Sequence, residues 1–339
     1  MSAVEDVATE APAVEAVPKR AMTIGAGTSL VVLALLFLVP VFAKNFIVFQ
    51  LTMLLIYGLA VLALNILTGG SGQFSLGQSA FYAVGAYTSA ILMEHGGVNY
   101  ALTLPIAGVV CFIFGFLFGQ PALRLSGVYL ALATFALATA MPQLLKLNFF
   151  EKWTGGVQGL VVTKPDAPFG LHLSQDVWLY YFTLVVAVAI YVFSVNLLRS
   201  RSGRAFMAIR DNEIAASAMG IDVALYKTLA FGVSAGITGV AGGLGAIAVQ
   251  FVAPDSYTIQ LAISLFLGMV VGGVGWLPGS FVGAAFIIFV PNIAESISKG
   301  LSGAVFGVLL FLVIFLVPHG SRQVAMVAQH LLGKLTKKN

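Results

Sequence analysis

Long apolar blocks separated by short polar joints run along the chain from about residue 21 to residue 317. Within a block the apolar residues are continuous rather than arranged as an amphipathic stripe. A helix rises 1.5 Å per residue, so crossing ~30 Å of hydrocarbon takes about 20 residues. Blocks of that kind fall at 21–43, 46–67, 74–93, 101–119, 125–145, 177–198, 228–251, 258–274, 279–298 and 301–317. The pattern predicts an all-α fold, a polytopic transmembrane helix bundle of about ten spans, with eight or nine as the alternatives. Strands of a membrane β-barrel would instead be about 10 residues of alternating polarity. The first block is too long for a signal-peptide core and no small-residue cleavage pattern follows it closely, so it is expected to stay as a helix.

Composition agrees with the pattern. Hydrophobic residues make up 59% of the 339 residues and charged residues 9%, against about 25% charged in an ordinary soluble domain. So much apolar surface needs lipid as its solvent. The single cysteine, Cys111, lies inside an apolar block and reads as a small buried hydrophobe.

Lysine and arginine are retained on the cytoplasmic side of short loops. With ten spans and a cytoplasmic N-terminus, the inside set is Lys19, Arg20, Arg124, Arg199, Arg201, Arg204, Arg210, Lys227, Arg322, Lys334, Lys337 and Lys338. The outside set is Lys44, Lys146, Lys152, Lys164 and Lys299. Every arginine falls inside, which places both termini in the cytoplasm and explains the net charge of +4 without a nucleic-acid partner. Residues 1–20 form an acidic, Ala/Val/Pro-rich stretch expected to be disordered. Residues 21–318 make up the membrane domain, and 319–339 a basic tail able to touch anionic headgroups.

Four segments stand out from the apolar background. In 69–78, Gly69, Gly70, Gly72 and Gly77 can break or tightly turn a helix. Backbone of that kind is tolerated at membrane depth only where protein or a water-filled cavity surrounds it. Gln73, Ser75, Gln78 and Ser79 then face a solute path, or the glycines serve close helix packing; the two readings are compatible. A second Gly-Gly-x-Gly, at Gly272, Gly273 and Gly275, follows 203 residues later. Matched breaks occur in duplicated transporters, but three matched glycines in a four-residue pattern are weak evidence for a repeat, and the run reads more naturally as coincidence. Gly236, Gly239, Gly242, Gly243 and Gly245 read mainly as a packing face.

The third segment is the cytoplasmic connection 199–227. Ala205, Phe206, Ala208 and Ile209 form the apolar side of a short helix with Arg204 and Arg210 on its edges. Asp211 or Asn212 offers an N-cap for a second short helix ending at Gly220. Two such helices make either a docking surface or a basic anchor at the headgroups. The fourth is the outer loop 146–176. Its Phe149, Phe150 and Trp153, with Trp178 beyond, suit the membrane interface. Its turn-rich tip 154–159 either meets a solute-delivering partner or simply joins two spans.

Several chemistries have nothing to stand on. No G-x-x-x-x-G-K-[ST] loop occurs, so the chain does not hold ATP by that device. The histidines are scattered at loops and ends, with no metal-ligand spacing, and no nucleophile–base pair presents itself. No catalytic residue, metal or bound cofactor is therefore expected in the chain. Charged residues are almost missing from the spans. A proton- or cation-coupled carrier usually keeps an acidic or histidine relay there, so energy is expected to come from another subunit.

The stretch L-N-I-L-T-G-G-S-G-Q-F-S-L-G-Q-S-A-F-Y-A-V-G-A-Y at 64–87 resembles the signature of branched-chain amino acid ABC importer permeases, and the M-type rather than the H-type. Residues 127–134 (G-V-Y-L-A-L-A-T), 154–160 (T-G-G-V-Q-G-L), 202–221 (S-G-R-A-F-M-A-I-R-D-N-E-I-A-A-S-A-M-G-I) and 272–284 (G-G-V-G-W-L-P-G-S-F-V-G-A) match the same family in order and spacing. The resemblance implies a permease subunit that pairs with a related permease or with itself. It further implies two cytoplasmic ABC ATPases holding ATP-Mg and an external solute-binding protein. It makes 199–227 the segment that couples ATP-driven closure to the helices, through Arg204, Arg210, Asp211, Glu213, Ala215, Ala216 and Gly220. Ala215-Ala216-x-x-x-Gly220 resembles the core of the ABC permease coupling motif, with Glu213 one residue further upstream than the usual acid. The candidate path then comprises Gln73, Ser75, Gln78, Ser79, Thr134 and Thr139, and the helix breaks are Gly69, Gly70, Gly72, Gly272, Gly273 and Gly275. Gln78 stands where His is frequent, Gln158 where Asp or Asn is frequent, and Thr139 where some members carry an acid. The solute implied is a branched-chain amino acid. Urea and short amides are the alternative, and a self-sufficient secondary carrier the more distant one.

Overall fold

The structure of the protein, a computed structural model, describes residues 34, 36–40, 43–122, 127–167, 174–297, 307, 308 and 311. The two tails, Arg124 and most of the first and last apolar blocks lie outside the described residues. Within them the chain is an all-α bundle. Helix α1 is Asn45–Asn65, running without interruption into a π-helical turn, Ile66–Gly70. Then come α2 (Gln78–Glu94), α3 (Tyr100–Ala122), α4 (Val128–Leu145) and the short α5 (Glu151–Thr154). Strand β1 (Leu160–Val161) precedes α6 (Gln175–Arg199), α7 (Arg201–Asp211), α8 (Glu213–Ala218) and α9 (Val223–Val249). Strand β2 (Phe251–Val252) and a 3₁₀ turn (Pro254–Tyr257) lead into α10 (Ile259–Gly272) and α11 (Gly279–Ile297).

Among the described residues, six helices are long and apolar enough to cross a membrane, at 45–70, 100–121, 128–145, 175–199, 223–249 and 254–272. Helix α2, with 17 residues, and the apolar part of α11 fall short of that length.

Burial grades from the middle of the bundle outward. Helix α9 is its axis, enclosed by α1, α2 and α3 and buried over nearly all of 228–248. Its glycines let backbones touch. A Cβ at Gly242 would overlap the Tyr82 carbonyl, one at Gly239 would meet Cys111 Sγ, and one at Gly236 would lie 3.1 Å from Gly108 O. The packing-face reading of this run holds. Cys111 is buried, as expected, and its thiol donates to Phe81 O at 3.4 Å. By contrast α3, α4 and α6 show outward rows of exposed apolar side chains, among them Leu117, Leu132 and Val185. A lipid solvent accepts such rows where water would not.

The two ends of the bundle differ in charge. One carries Arg199, Arg201, Arg204, Arg210 and Lys227 around α7 and α8. The other carries Lys44, Lys146, Lys152 and Lys164. At this second end β1 pairs antiparallel with β2, Leu160 opposite Val252 and Val161 opposite Phe251. Ion pairs Lys146–Asp255 and Lys164–Asp176 tie the outer loop to the helix ends. Thr154 Oγ1 donates to Leu145 O at 3.0 Å, so the tip 154–159 is folded back onto the bundle. Trp178 Nε1 donates to Tyr100 OH at 3.1 Å, an aromatic pair of the kind found at membrane interfaces.

Candidate functional site

At the arginine-rich end, three helix starts in succession are capped by their own sequence. Ser200 accepts from Gly203 N (3.4 Å) to start α7, Asn212 from Ala215 N (3.0 Å) to start α8, and Asp222 from Leu225 N (3.0 Å) to start α9. Each side-chain oxygen satisfies a backbone N–H that the first turn leaves free. Asn212, not Asp211, is the cap of α8. Helix α7 lays Ala205, Phe206 and Ile209 onto the bundle, with Ala208 half-buried, and the Phe206 ring meets Tyr226 edge-on. Glu213 pairs with Lys227 at 2.6 Å, which bridges α8 to the first turn of α9. Ala216 is buried and Ala215 exposed. Gly220 closes the segment at φ 82°. Arg204 Nη1 donates to Arg199 O at 3.1 Å. On the side turned away from the bundle, Ile214 and Met219 are 84% and 85% exposed.

Arg210 does not simply face solvent. Its Nε and Nη2 hold Asp211 at 3.0 and 2.8 Å, while Nη1 donates to Gly69 O at 2.8 Å. That carbonyl belongs to the π turn ending α1. A π turn spoils the regular i→i−4 ladder, and such turns are frequent at functional sites. Gly72 (φ 73°) lies just beyond, its Cα against the Arg210 side chain. The first break is thus held by the α7 arginine.

The second break lies directly against the first. Helix α10 stops at Gly272, and Gly273 (φ 98°) and Gly275 (φ 79°) turn the chain into α11. A Cβ on Gly69 would fall 2.5 Å from Gly275 N and 2.6 Å from its Cα, so the two backbones are in contact. The Gly-Gly-x-Gly pair that reads as coincidence along the sequence is one locus in space. Its centre is Asn65, 1% exposed. Asn65 Nδ2 donates toward Trp276 O (3.1 Å), Gly273 O (3.3 Å) and Ser280 Oγ (3.3 Å), and Oδ1 accepts from Gly275 N at 2.7 Å. One amide side chain therefore pairs the Gly275 N–H that the break frees and reinforces turn bonds already made at Gly273 O and Trp276 O, as buried backbone in a membrane requires.

The polar residues proposed for a path lie near this locus. Gln73 is buried and its Nε2 donates to Ser71 Oγ (2.9 Å) and Lys227 O (3.1 Å). Ser75 accepts from Gly77 N at 3.2 Å, and Thr134 of α4 accepts from Leu76 N at 2.9 Å. Gln78 spans α1, α2 and α9. Its Nε2 donates to Ser234 Oγ (2.9 Å), which donates on to Ala63 O (2.8 Å), and its Oε1 accepts from Thr238 Oγ1 (2.7 Å). Ser79 is fully buried with no partner for its hydroxyl. Thr139 stands apart, exposed on α4 and bonded to its own helix at Phe135 O and Ala136 O. A Cβ at Gly70 would have Leu198 Cδ2 as its neighbour, at 3.4 Å.

Sequence reasoning passed over Asn65, Ser234, Thr238, Ser280 and Lys227. For Asn65 the signal was present, a lone amide in the apolar run L-A-L-N-I-L, which hydrocarbon tolerates only with partners. Among the described residues no group of three or more His, Cys, Asp or Glu comes together to hold a metal ion.

Residues 46–317 match the family described as branched-chain amino acid transport system / permease component. Among curated proteins, the high-affinity branched-chain amino acid transport system permease protein LivM of Salmonella typhimurium is 36% identical over 247 residues, 66% of this chain and 58% of that protein. LivM of Escherichia coli strain K12 is 35% identical over the same shares. The probable LivM of Methanocaldococcus jannaschii is 24% identical, over 65% of this chain and 67% of that protein. Alignment with the two bacterial relatives thus spans less than two thirds of their length. No solved structure gives a significant match. The apolar bundle, the glycine breaks and the family match together make this chain a multi-pass inner-membrane protein belonging to the branched-chain amino acid transport permease family.

Proposed function

We propose that the chain is the M-type permease subunit of an ABC importer that brings branched-chain amino acids into the cytoplasm. Two ATPase subunits holding ATP-Mg dock on segment 199–227 from the cytoplasm. A second permease, related or identical, completes the path, and an external binding protein delivers solute at the 146–176 end. About ten spans with both termini inside fit the distribution of arginines. Tails 1–20 and 319–339 then lie in the cytoplasm, flanking the membrane domain 21–318.

One observation carries this reading: the built geometry of 199–227. Its inner face is committed to the bundle through Phe206, Ile209 and Arg210, while Ile214 and Met219 project outward without apolar cover. A headgroup anchor needs no grip on a helix break, whereas a coupling segment does. The buried groups Gln73, Ser75, Gln78, Ser79 and Thr134 are paired or enclosed within protein here. On this reading they replace the solute's hydration when the bundle opens, and Thr139 faces the second permease or lipid.

The test is purification of the tagged chain with its candidate partners, followed by uptake of labelled leucine and urea in proteoliposomes with the binding protein. Co-purified ATPases and ATP-dependent leucine uptake are expected. Urea uptake would change the solute and keep the mechanism. ATP-independent, ion-dependent uptake by the chain alone would overturn the reading.

A further inference from the structure

We propose that Asn65 is a positioning residue that locks the two helix breaks into one body, so that displacement of Arg210 on the coupling segment is transmitted to residues 273–280. The inference rests on the coupling role of 199–227 for its functional meaning, but its physical content stands on geometry alone. One freed backbone group of each break is satisfied by a side chain from another element. Gly69 O of the first break is taken by Arg210 of α7. Gly275 N of the second is taken by Asn65 Oδ1 of α1, whose Nδ2 adds to the turn bonds already made at Gly273 O and Trp276 O.

These two clamps are in series. Asn65 caps the π turn that holds Gly69, four residues on, and a Cβ on Gly69 would lie 2.7 Å from Asn65 Oδ1. The turn cannot shift without carrying Asn65 with it. Asn65 is 1% exposed, and its oxygen bond to Gly275 is short. If it left its place, it would strand Gly275 N in a water-free interior, where an unpaired backbone group is most costly. The contact of Gly69 with Gly275 removes the remaining slack, because no side chain lies between the two backbones. Packed elements of this kind move between discrete arrangements rather than deforming smoothly.

A purely structural asparagine would make the same bonds but would not link Arg210 to the second break. The distinction is read by amide hydrogen exchange on the assembled complex in lipid nanodiscs. Arg210→Ala touches no atom of 273–280. It is expected nonetheless to speed exchange in that stretch by about fivefold, the factor for loss of one half-exposed hydrogen bond of about 1 kcal/mol. Asn65→Leu is expected to raise exchange at 273–280 directly, and Arg210→Ala added to it to cause no further rise there, a full coupling in the double-mutant sense. Where Asn65→Leu prevents assembly, Ser280→Ala serves in its place. It trims a single partner of Asn65 and is expected to give a smaller rise in the same stretch.

Faster exchange confined to 69–73 and 199–213 in Arg210→Ala would overturn the proposal, as would additive effects of the two substitutions. The exchange readout needs no transported solute. A wild-type complex without ATP-dependent uptake would therefore count against the importer reading and leave this result legible by itself.

Discussion

The two Gly-Gly-x-Gly segments are nearly the same string, yet they break their helices in different ways. At 69–72 the first two glycines stay helical within a π turn, and only Gly72 takes a positive φ. At 272–275 the helix ends outright, and both Gly273 and Gly275 take positive φ. The first break is thus a bulge whose exposed carbonyl needs one donor, and an arginine from outside the bundle supplies it. The second is a true gap whose freed donor, Gly275 N, needs an acceptor, and a buried amide supplies it while its NH2 joins the turn bonds at Gly273 O and Trp276 O. The lesson is that glycine spacing says where backbone is released, while the chemistry of the partner depends on which group, carbonyl or N–H, is released.

The comparison can be broken most severely at Gly69. Gly69→Ala places a methyl on Gly275 backbone and Asn65 Oδ1 at 2.5 to 2.7 Å, where neither neighbour can rotate away. Overpacking of this kind costs about 3 kcal/mol, and uptake in proteoliposomes is expected to be abolished. Next comes Asn65→Leu, which keeps the volume and strands Gly275 N, at about 2 kcal/mol. The check is a lower thermal unfolding midpoint of the detergent-solubilised complex, with less uptake per ATP hydrolysed. Arg210→Ala frees Gly69 O at a half-exposed site. It is expected to cost about 1 kcal/mol, with ATPase co-purification and uptake both reduced.

Two smaller effects sharpen the contrast. Glu213→Gln removes the ion pair with Lys227, which is partly solvated. Such pairs contribute about 0.5 kcal/mol, so uptake is expected to stay close to wild type. Gly70→Ala adds a methyl in ordinary contact with Leu198 and favours the helical turn it sits in. Replacing a mid-helix glycine by alanine gains about 0.5 kcal/mol, so a slightly higher unfolding midpoint is the expected result, set against the loss at the neighbouring Gly69.

Much of this architecture is legible in the chain. Continuous apolar blocks place α1, α3, α4, α6 and α9, because membrane helices must satisfy their backbone internally and advertise their length. The two ends of α8 follow from local chemistry, since Asn212 and Gly220 act within a few residues of themselves. What stays hidden is pairing across the bundle. Gln78 meets Ser234 and Thr238 more than 150 residues away, and nothing in the local pattern marks serines and threonines on α9 as its partners. The same holds for Asn65 and the second break. Polarity marks a residue as needing a partner; only the packing of helices says which. The span count shows the limit from the other side, since α2 is too short by length alone although its place in the bundle is unambiguous.

The central claim is that the two breaks move as one body when the coupling segment moves. Phe74 and Val274 flank the breaks and are 49% and 45% exposed, which suits them to spin labels after Phe74→Cys and Val274→Cys in a Cys111→Ala background. Paired with Val157→Cys at the opposite end, they allow distances to be measured in the complex without nucleotide and with ATP trapped. The account predicts that the 74–274 distance stays constant while the 74–157 distance changes. Separation of 74 from 274 on ATP binding would contradict it.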